Sequence, residues 1–272
     1  MPELSTLFLL KLLLVPTLIG LVTLAGRRWG PAVAGWMSAF PIVAGPILLA
    51  IALEQGAEFA SIAAANTLLA VLAILVFSIA YARTARFGMP RAMAVALLAY
   101  AVAVVILTST ALPLWTGFAA VLAALFVAPF LFGAAPQGAA SARKPANDLP
   151  WRMLAGAALC LSVTYAAGQL GPRLSGLFAM FPVMSTVLVG FSHRSSGPGF
   201  AVALLRGMVN GYYAFAVFCV LLSLLLRSES IAFAFACATG AALVVQLGVK
   251  WLLGKGDQGT KRSLNVIGTE KV

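Results

Sequence analysis

Nine apolar runs follow one another along this chain, separated by short polar or Gly- and Pro-containing segments. Most runs are about 20 residues long, the length at which an α-helix crosses the hydrocarbon core of a bilayer. Backbone N–H and C=O groups in lipid must be paired within the segment, so runs of this kind have to be helical. The pattern predicts membrane-spanning helices at about residues 4–25, 31–53, 60–82, 92–112, 116–133, 152–170, 173–192, 199–226 and 231–253.

The composition agrees with this interpretation. Charged residues make up 9% of the 272 residues and hydrophobic residues 62%, whereas soluble domains carry about 25% charged residues. The sequence therefore predicts an all-α polytopic membrane protein with no soluble domain. Its net charge of +11 would suit nucleic acid, but the basic residues are dispersed among short loops. We expect the lipid bilayer as the main partner and no nucleic-acid partner.

The distribution of basic residues predicts an orientation. With nine spans, 14 of the 18 Lys and Arg residues fall on one side of the membrane, and three fall on the other. Those three are Lys11, Arg173 and Arg227, and Arg206 lies inside a span. Basic loops stay in the cytoplasm, so we expect a cytoplasmic C-terminus and an external N-terminus. Residues 4–25 are interpreted as a retained span, because the segment before them lacks the basic residues of a signal peptide.

A duplicated motif relates the two halves of the chain. Gly-Pro, three residues, Gly, four residues and Phe-Pro run from Gly30 to Pro41 and again, 141 positions later, from Gly171 to Pro182. With a three-residue insertion the match continues to Asn66 and Asn210. Spans 1–4 then correspond to spans 6–9, with the fifth span as connector. Equivalent helices are five spans apart, so the sequence predicts two inverted four-helix repeats, an arrangement found in many transporters.

This duplication predicts four regions. Residues 1–112 form the first repeat, 113–150 the connector helix and a cytoplasmic linker, and 151–253 the second repeat. Residues 254–272 are polar and are predicted to be a disordered cytoplasmic tail.

The repeated prolines predict an interruption in the second and the seventh span. Proline fits the first position of a helix, so each Gly-Pro is a helix start. Pro41 and Pro182 come ten residues after those starts, which at about 1.5 Å per residue places them near the middle of the bilayer. Each removes a backbone hydrogen bond. Small residues between the prolines favour close packing, and we expect the second and seventh spans to lie centrally.

Two interpretations of these interruptions remain open. They are either kinks in packing helices or broken helices whose backbone groups bind a substrate. The polar residues nearest the prolines are Ser38, Ser185 and Thr186, which are candidate substrate-binding residues together with Pro41 and Pro182. Ser and Thr side chains also often bond to their own helix.

Three further polar residues in the spans are substrate-binding candidates. Asn66 and Asn210 are equivalent in the two repeats and are expected to face the cores, where a structural hydrogen bond between the halves is the alternative. Arg206 stands one turn before Asn210 and would suit an anionic solute if it faces a cavity. Alternatively, its guanidinium reaches the membrane surface.

The sequence carries no recognisable catalytic, metal or cofactor motif. No carboxylate lies deep within a span, and Cys160, Cys219 and Cys237 are isolated in apolar runs. His193 is the single histidine and is interpreted as an interfacial residue. We therefore expect no enzyme activity, no cofactor and no metal.

The stretch Ser175-Gly176-Leu177-Phe178-Ala179-Met180-Phe181-Pro182, followed by His193 and Gly197, resembles the small GlpM-like membrane proteins. Those are four-helix chains with a similar Ala-Gly-Leu…Phe-Pro stretch and a nearby histidine. The resemblance covers about residues 150–253 and, more weakly, 8–112, where Ala52 replaces the histidine. It implies two such units fused around a connector and a location in the bacterial inner membrane.

These features favour an inner-membrane permease that moves a small solute, with anions favoured by Arg206, around the interrupted second and seventh spans. The alternative is a non-transporting membrane accessory or scaffold protein of the cell envelope. The sequence is compatible with a homo-oligomer and does not identify the solute.

Overall fold

The computed structural model describes residues 6–41, 44–110, 112–133, 147–169 and 181–269, with the backbone alone for residues 6–12, 164, 166–169 and 252–269. Throughout these residues the chain is helical, apart from turns and short connections, and contains no strand. The helices are α1 (Thr6–Trp29), α2 (Pro31–Ser38), α3 (Ala44–Gln55), α4 (Ala57–Thr84), α5 (Met89–Ser109), α6 (Leu114–Leu131), α7 (Leu149–Gln169), α8 (Val183–Ser196), α9 (Pro198–Leu225) and α10 (Ile231–Thr269). A 3-10 turn, Ala85–Phe87, follows α4.

Five described helices are long and apolar enough to cross a membrane. They are the segments Ala57–Phe87, Met89–Ser109, Leu114–Leu131, Pro198–Leu225 and Ile231–Trp251. Shorter apolar helices occur at Ala44–Gln55 and Leu149–Val163. The prediction of an all-helical protein with several apolar helices of membrane-spanning length is confirmed.

Glycine and proline fix several helix starts. Gly30 has φ 89° and Gly197 has φ 88°, and each precedes a helix whose first residue is proline. A positive φ is accessible to glycine at little cost, and proline at the first helical position loses no backbone hydrogen bond. The predicted helix start at Gly30-Pro31 is therefore confirmed. The second copy, at Gly171-Pro172, lies outside the described residues.

The helix predicted over residues 31–53 is divided into two helices. α2 ends at Ser38 and α3 begins at Ala44, with Pro41 between them. Proline cannot donate a backbone hydrogen bond and clashes with the preceding turn, which explains why the interruption falls here. In the seventh predicted span, α8 begins at Val183, directly after Pro182, while residues 170–180 lie outside the described part.

The most enclosed helix is α9, which packs against α2, α4, α6, α8 and α10. Its fully buried side chains include Leu205, Phe218 and Leu222. α2 makes its most extensive packing with α9. The sequence predicted that the second and seventh spans pack centrally against each other. Most of the second motif, from Gly171 to Pro182, lies outside the described residues.

One end of the helix bundle is defined by side-chain contacts. Tyr81 near the end of α4 bonds to His193 near the end of α8. Arg206 in the first part of α9 bonds to the Gly133 carbonyl after α6, and Arg152 at the beginning of α7 bonds to Ser192 near the end of α8. We call this the His193 end. Arg27, Arg83, Arg86, Arg152 and Arg194, which the sequence placed on one side of the membrane, lie at or next to this end.

The C-terminal tail differs from the prediction. Residues 254–269, expected to be disordered, continue α10 as far as Thr269. No proline occurs in this stretch, so the helix meets no residue that would remove a hydrogen bond and end it.

Candidate functional site

The break between α2 and α3 leaves one carbonyl group to be paired from another helix. The backbone N–H groups of Ala39 and Phe40 donate to the carbonyl oxygens of Gly35 and Met37. The Trp36 carbonyl oxygen instead accepts a hydrogen bond of 2.8 Å from Nε2 of Gln246 on α10. Gln246 is only 3% exposed. A side chain from the last helix thus pairs a backbone group that the break sets free.

Ser38 bonds to its own helix rather than into the break. Its hydroxyl donates to the Gly35 carbonyl oxygen at 2.8 Å. Pro41, which follows the break, is buried. The alternative that Ser38 bonds back to its own helix is the one that the structure shows.

The second interruption places two hydroxyl groups in the first turn of α8. Pro182 and Ser185 are both buried. The Ser185 hydroxyl donates to the sulfur of Met208 on α9 at 3.6 Å. The Thr186 hydroxyl is buried and has no hydrogen-bond partner among the described residues.

α9 passes between the two interruptions at Met208. Gly35 of α2 lies so close to α9 that an added Cβ would overlap the Leu204 carbonyl and come within 2.8 Å of the Met208 nitrogen. The backbone of Met208 thus contacts α2 while its sulfur contacts Ser185 of α8. Gly207 and Gly211 make similarly close contacts with α2. Glycines at these positions allow the backbones to approach, as they do in helix pairs of membrane proteins.

Three of the unpaired buried polar atoms belong to the two interruptions. Five buried side-chain atoms of the described residues have no hydrogen-bond partner: Thr23 Oγ1, Trp36 Nε1, Thr186 Oγ1, Arg206 Nε and Gln246 Oε1. Trp36 and Gln246 belong to the first break, and Thr186 belongs to the second.

Comparison with protein-family models, curated protein sequences and solved structures finds no match to this chain. The site must therefore be interpreted from its own geometry.

A positive charge lies next to the first break. The Lys250 ammonium group is 5.2 Å from the centroid of the Trp36 ring, one turn after Gln246 on α10. A cation over an indole face is a favourable arrangement. The neighbourhood of Trp36 thus combines an unpaired N–H donor, an unpaired amide oxygen and an ammonium group.

Arg206 lies away from the interruptions. Its guanidinium donates to the Gly133 carbonyl oxygen and is 5.8 Å from the centroid of the Phe132 ring. Arg83 donates to the neighbouring Leu131 carbonyl oxygen at 2.6 Å. Both arginines therefore cap the C-terminal end of α6, where cations are favoured by the helix dipole.

The two asparagines do not meet. Asn66 is exposed, and Asn210 is half-buried. No hydrogen bond joins them, although both side chains are described. The expectation that Asn66 faces the core is wrong, because α4 buries the face formed by Ala60, Ala64 and Leu68.

The sequence interpretation missed three of the residues that build this site, Trp36, Met208 and Gln246. Gln246 carries the clearest sequence signal, since it is a lone amide within the apolar part of the last span. Nothing in the sequence connects it with Trp36, which lies 210 positions earlier. Trp36 and Met208 are apolar enough to be interpreted as ordinary packing residues.

Proposed function

We propose that this chain is a multi-pass inner-membrane permease that binds a small polar solute at the two interrupted helices, with anionic solutes favoured. The observation that carries the proposal is the position of Trp36 Nε1, Gln246 Oε1 and Thr186 Oγ1. These buried atoms have no hydrogen-bond partner among the described residues, and they belong to the two interruptions.

Unpaired polar atoms of this kind call for an explanation. Most buried polar groups in native proteins are hydrogen-bonded, and each one left unpaired costs about 1–3 kcal/mol. Trp36 offers a donor and Gln246 offers an acceptor, and the two residues are already joined through the Trp36 carbonyl. A small solute with both kinds of group would satisfy them together. The nearby Lys250 ammonium favours a solute with negative charge.

The proposal includes the architecture that the sequence predicts. Nine spans arranged as two inverted four-helix repeats around α6 would place one interrupted helix in each half, as in many secondary transporters. The 141-residue offset of the Gly-Pro…Phe-Pro motif supports this arrangement. The division of the second span at Pro41 and the start of α8 after Pro182 support it too. The resemblance to GlpM-like proteins supports the fusion of two such units in a bacterial inner membrane.

The test begins with a ligand search on purified protein in detergent. Thermal unfolding is measured against a panel of small organic and inorganic anions and neutral metabolites, and each stabilising solute is then assayed for uptake into proteoliposomes. We expect Thr186→Val to keep or raise the unfolding temperature without solute, because it removes an unpaired polar atom, whereas Trp36→Phe also loses ring contacts, including part of the contact with Lys250. Both should reduce the stabilisation by solute and the uptake.

Matched controls separate binding from general damage. Thr67→Val makes the same change on α4, where the hydroxyl bonds to the Ala63 carbonyl of its own helix. Trp29→Phe makes the same change at a side chain that is 60% exposed. Both should leave stabilisation and uptake unchanged. A folded protein that transports none of the panel, with site variants that behave like these controls, would instead favour the accessory or scaffold role.

A further inference from the structure

A buried arginine organises a polar cluster at the His193 end. Arg152, in the first turn of α7, has a side chain that is only 7% exposed. Its guanidinium donates to Ser192 at 3.2 Å and to Ser195 at 3.0 Å, both on α8. It also lies 5.5 Å from the centroid of the Phe191 ring. The cluster lies at the end of α8 opposite to the second interruption.

A single carboxylate bridges two arginines in this cluster. Asp148 Oδ2 accepts from Arg152 Nε at 3.0 Å and lies 2.9 Å from a terminal nitrogen of the same guanidinium. Asp148 Oδ1 accepts at 2.7 Å from Arg27, in the last turn of α1. Two guanidinium groups on different helices thus hold one carboxylate. This is the donor arrangement with which proteins bind carboxylate and phosphate groups.

The two halves of the chain differ at part of this polar set. The positions 141 residues before Ser192 and His193 hold Ile51 and Ala52, and Arg27 corresponds to Gly168, whereas Arg152 and Ser195 correspond to Lys11 and Glu54. Ala52 is 2% exposed. The first half therefore packs apolar side chains at the positions that Ser192 and His193 occupy in the second. Burying an arginine together with its partners is costly, which points to a role beyond packing.

The flanking residues place the cluster near the membrane surface. Trp151 and Trp29, next to Arg152 and close to Arg27, are 65% and 60% exposed. Tryptophan is enriched at the level of the lipid headgroups. An anion from the aqueous phase and the phosphate of a lipid headgroup can both reach this depth.

We propose that Arg27, Arg152, Ser192 and Ser195 form a binding site for a phosphate group, and that Asp148 occupies this site as an internal carboxylate. The two guanidinium groups supply the charge-assisted donors. The serine hydroxyls, which now accept from Arg152, are free to turn and donate to a phosphate oxygen. Asp148 immediately precedes α7, so its carboxylate can leave the site by a change at the helix start alone. Phosphate and Asp148 then compete for the same donors.

The experiment removes the competitor. Asp148→Asn keeps the shape of the side chain and removes its charge. Binding of inorganic phosphate to the purified full chain is measured by calorimetry and by thermal shift, with chloride at equal ionic strength as the reference. We expect the variant to bind phosphate with an apparent Kd at least about tenfold lower than the unmodified protein, because an internal carboxylate at high effective concentration no longer competes. In nanodiscs, phosphatidylcholine alone is compared with phosphatidylcholine containing phosphatidylglycerol.

Further variants identify the donors. In the Asp148→Asn background, Arg27→Gln and Ser195→Ala should each weaken phosphate binding, whereas Arg28→Gln, at the exposed neighbouring arginine, should not. Size-exclusion profiles confirm that each variant is folded, and the partly exposed Arg27 is used because a change at buried Arg152 can disturb folding. Stabilisation by inorganic phosphate assigns the site to a free anion. Stabilisation by phosphatidylglycerol alone, lost in Arg27→Gln, assigns it to a lipid headgroup.

Two results would overturn the proposal. One is that Asp148→Asn, correctly folded, gains no affinity for either source of phosphate. The other is that, in the Asp148→Asn background, Arg27→Gln and Arg28→Gln change phosphate binding to the same extent. Neither result depends on transport, so failure of this proposal and failure of the proposed permease function can be told apart.

Discussion

The hydroxyl of Tyr81 and Nδ1 of His193 lie 2.7 Å apart in a buried contact where the end of α4 meets the end of α8. The two rings also meet edge-to-face, with centroids 5.9 Å apart. His193 is 9% exposed, although the sequence interpretation placed it at the membrane interface. The contact joins the helix that follows the second interruption to the first half of the chain.

This pair should be energetically coupled. Tyr81→Phe removes one partner of the bond and leaves the His193 nitrogen unpaired. His193→Leu removes the other partner and leaves the Tyr81 hydroxyl unpaired. We expect the two changes together to destabilise the protein by about 1 kcal/mol less than the sum of the single changes. Reversible unfolding in mixed detergent micelles measures the four free energies of the cycle.

Tyr165→Phe is the control for this cycle, since that side chain on α7 is 72% exposed. It should have little effect, and its combination with His193→Leu should be additive. If the changes in unfolding free energy caused by Tyr81→Phe and His193→Leu were also additive, the hydrogen bond between the two side chains would contribute nothing to stability.

A second prediction concerns the contact between α2 and α9. Gly35→Ala would drive a methyl group into the Leu204 carbonyl and the Met208 nitrogen, which are backbone atoms and cannot turn aside. Overpacking of this kind costs about 1–3 kcal/mol or more. We expect a marked loss of thermal stability in detergent, and any solute-dependent stabilisation should fall with it because Met208 also contacts Ser185.

Gly240→Ala and Gly248→Ala are the matched controls. Both glycines are in α10, and an added Cβ at either position would meet no atom within 4 Å. Alanine is favoured over glycine inside a helix by up to about 1 kcal/mol. These variants should be as stable as the unmodified protein or slightly more so. Equal loss of stability in Gly35→Ala and Gly240→Ala would contradict the close α2–α9 contact.

Local features of the sequence predicted the helices well. Long apolar runs predicted where the helices lie, because a backbone in lipid has no other way to pair its polar groups. Pro31 and Pro41 predicted a helix start and a helix break, because proline acts through its own ring and missing N–H group. Such effects need no knowledge of the rest of the fold.

The candidate site depended on contacts that the sequence does not encode locally. Tyr81 and His193 are 112 positions apart, and Trp36 and Gln246 are 210 positions apart. Which residues meet across such distances is decided by how the helices rotate and pack. Asn66 illustrates the difficulty: its position in the repeat suggested a buried residue, but the rotation of α4 exposes it. Arg206 likewise donates a hydrogen bond to a backbone carbonyl oxygen just after α6, which its position in the sequence did not indicate.

The orientation in the membrane is the last prediction. The loops rich in Lys and Arg belong to the His193 end, so this end should face the cytoplasm. Cys160, Cys219 and Cys237 are replaced by alanine, and single cysteines are introduced at Arg86 and Trp29 at the His193 end and at Glu58 and Glu229 at the opposite end. All four positions are exposed. The reagent is a maleimide that cannot cross membranes, applied to intact bacterial cells made permeable only in the outer membrane.

Glu58→Cys and Glu229→Cys should react in intact cells, whereas Arg86→Cys and Trp29→Cys should react only after lysis. Glu58 and Glu229 come from different halves of the proposed repeat, and Trp29 and Arg86 are separated by two predicted spans. Glu58 and Glu229 follow the second and the eighth predicted spans, so they share a side only if the number of spans between them is even. Labelling of Glu58→Cys without Glu229→Cys would contradict the nine-span arrangement. Labelling of the Arg86 and Trp29 variants alone would keep that arrangement and reverse its orientation.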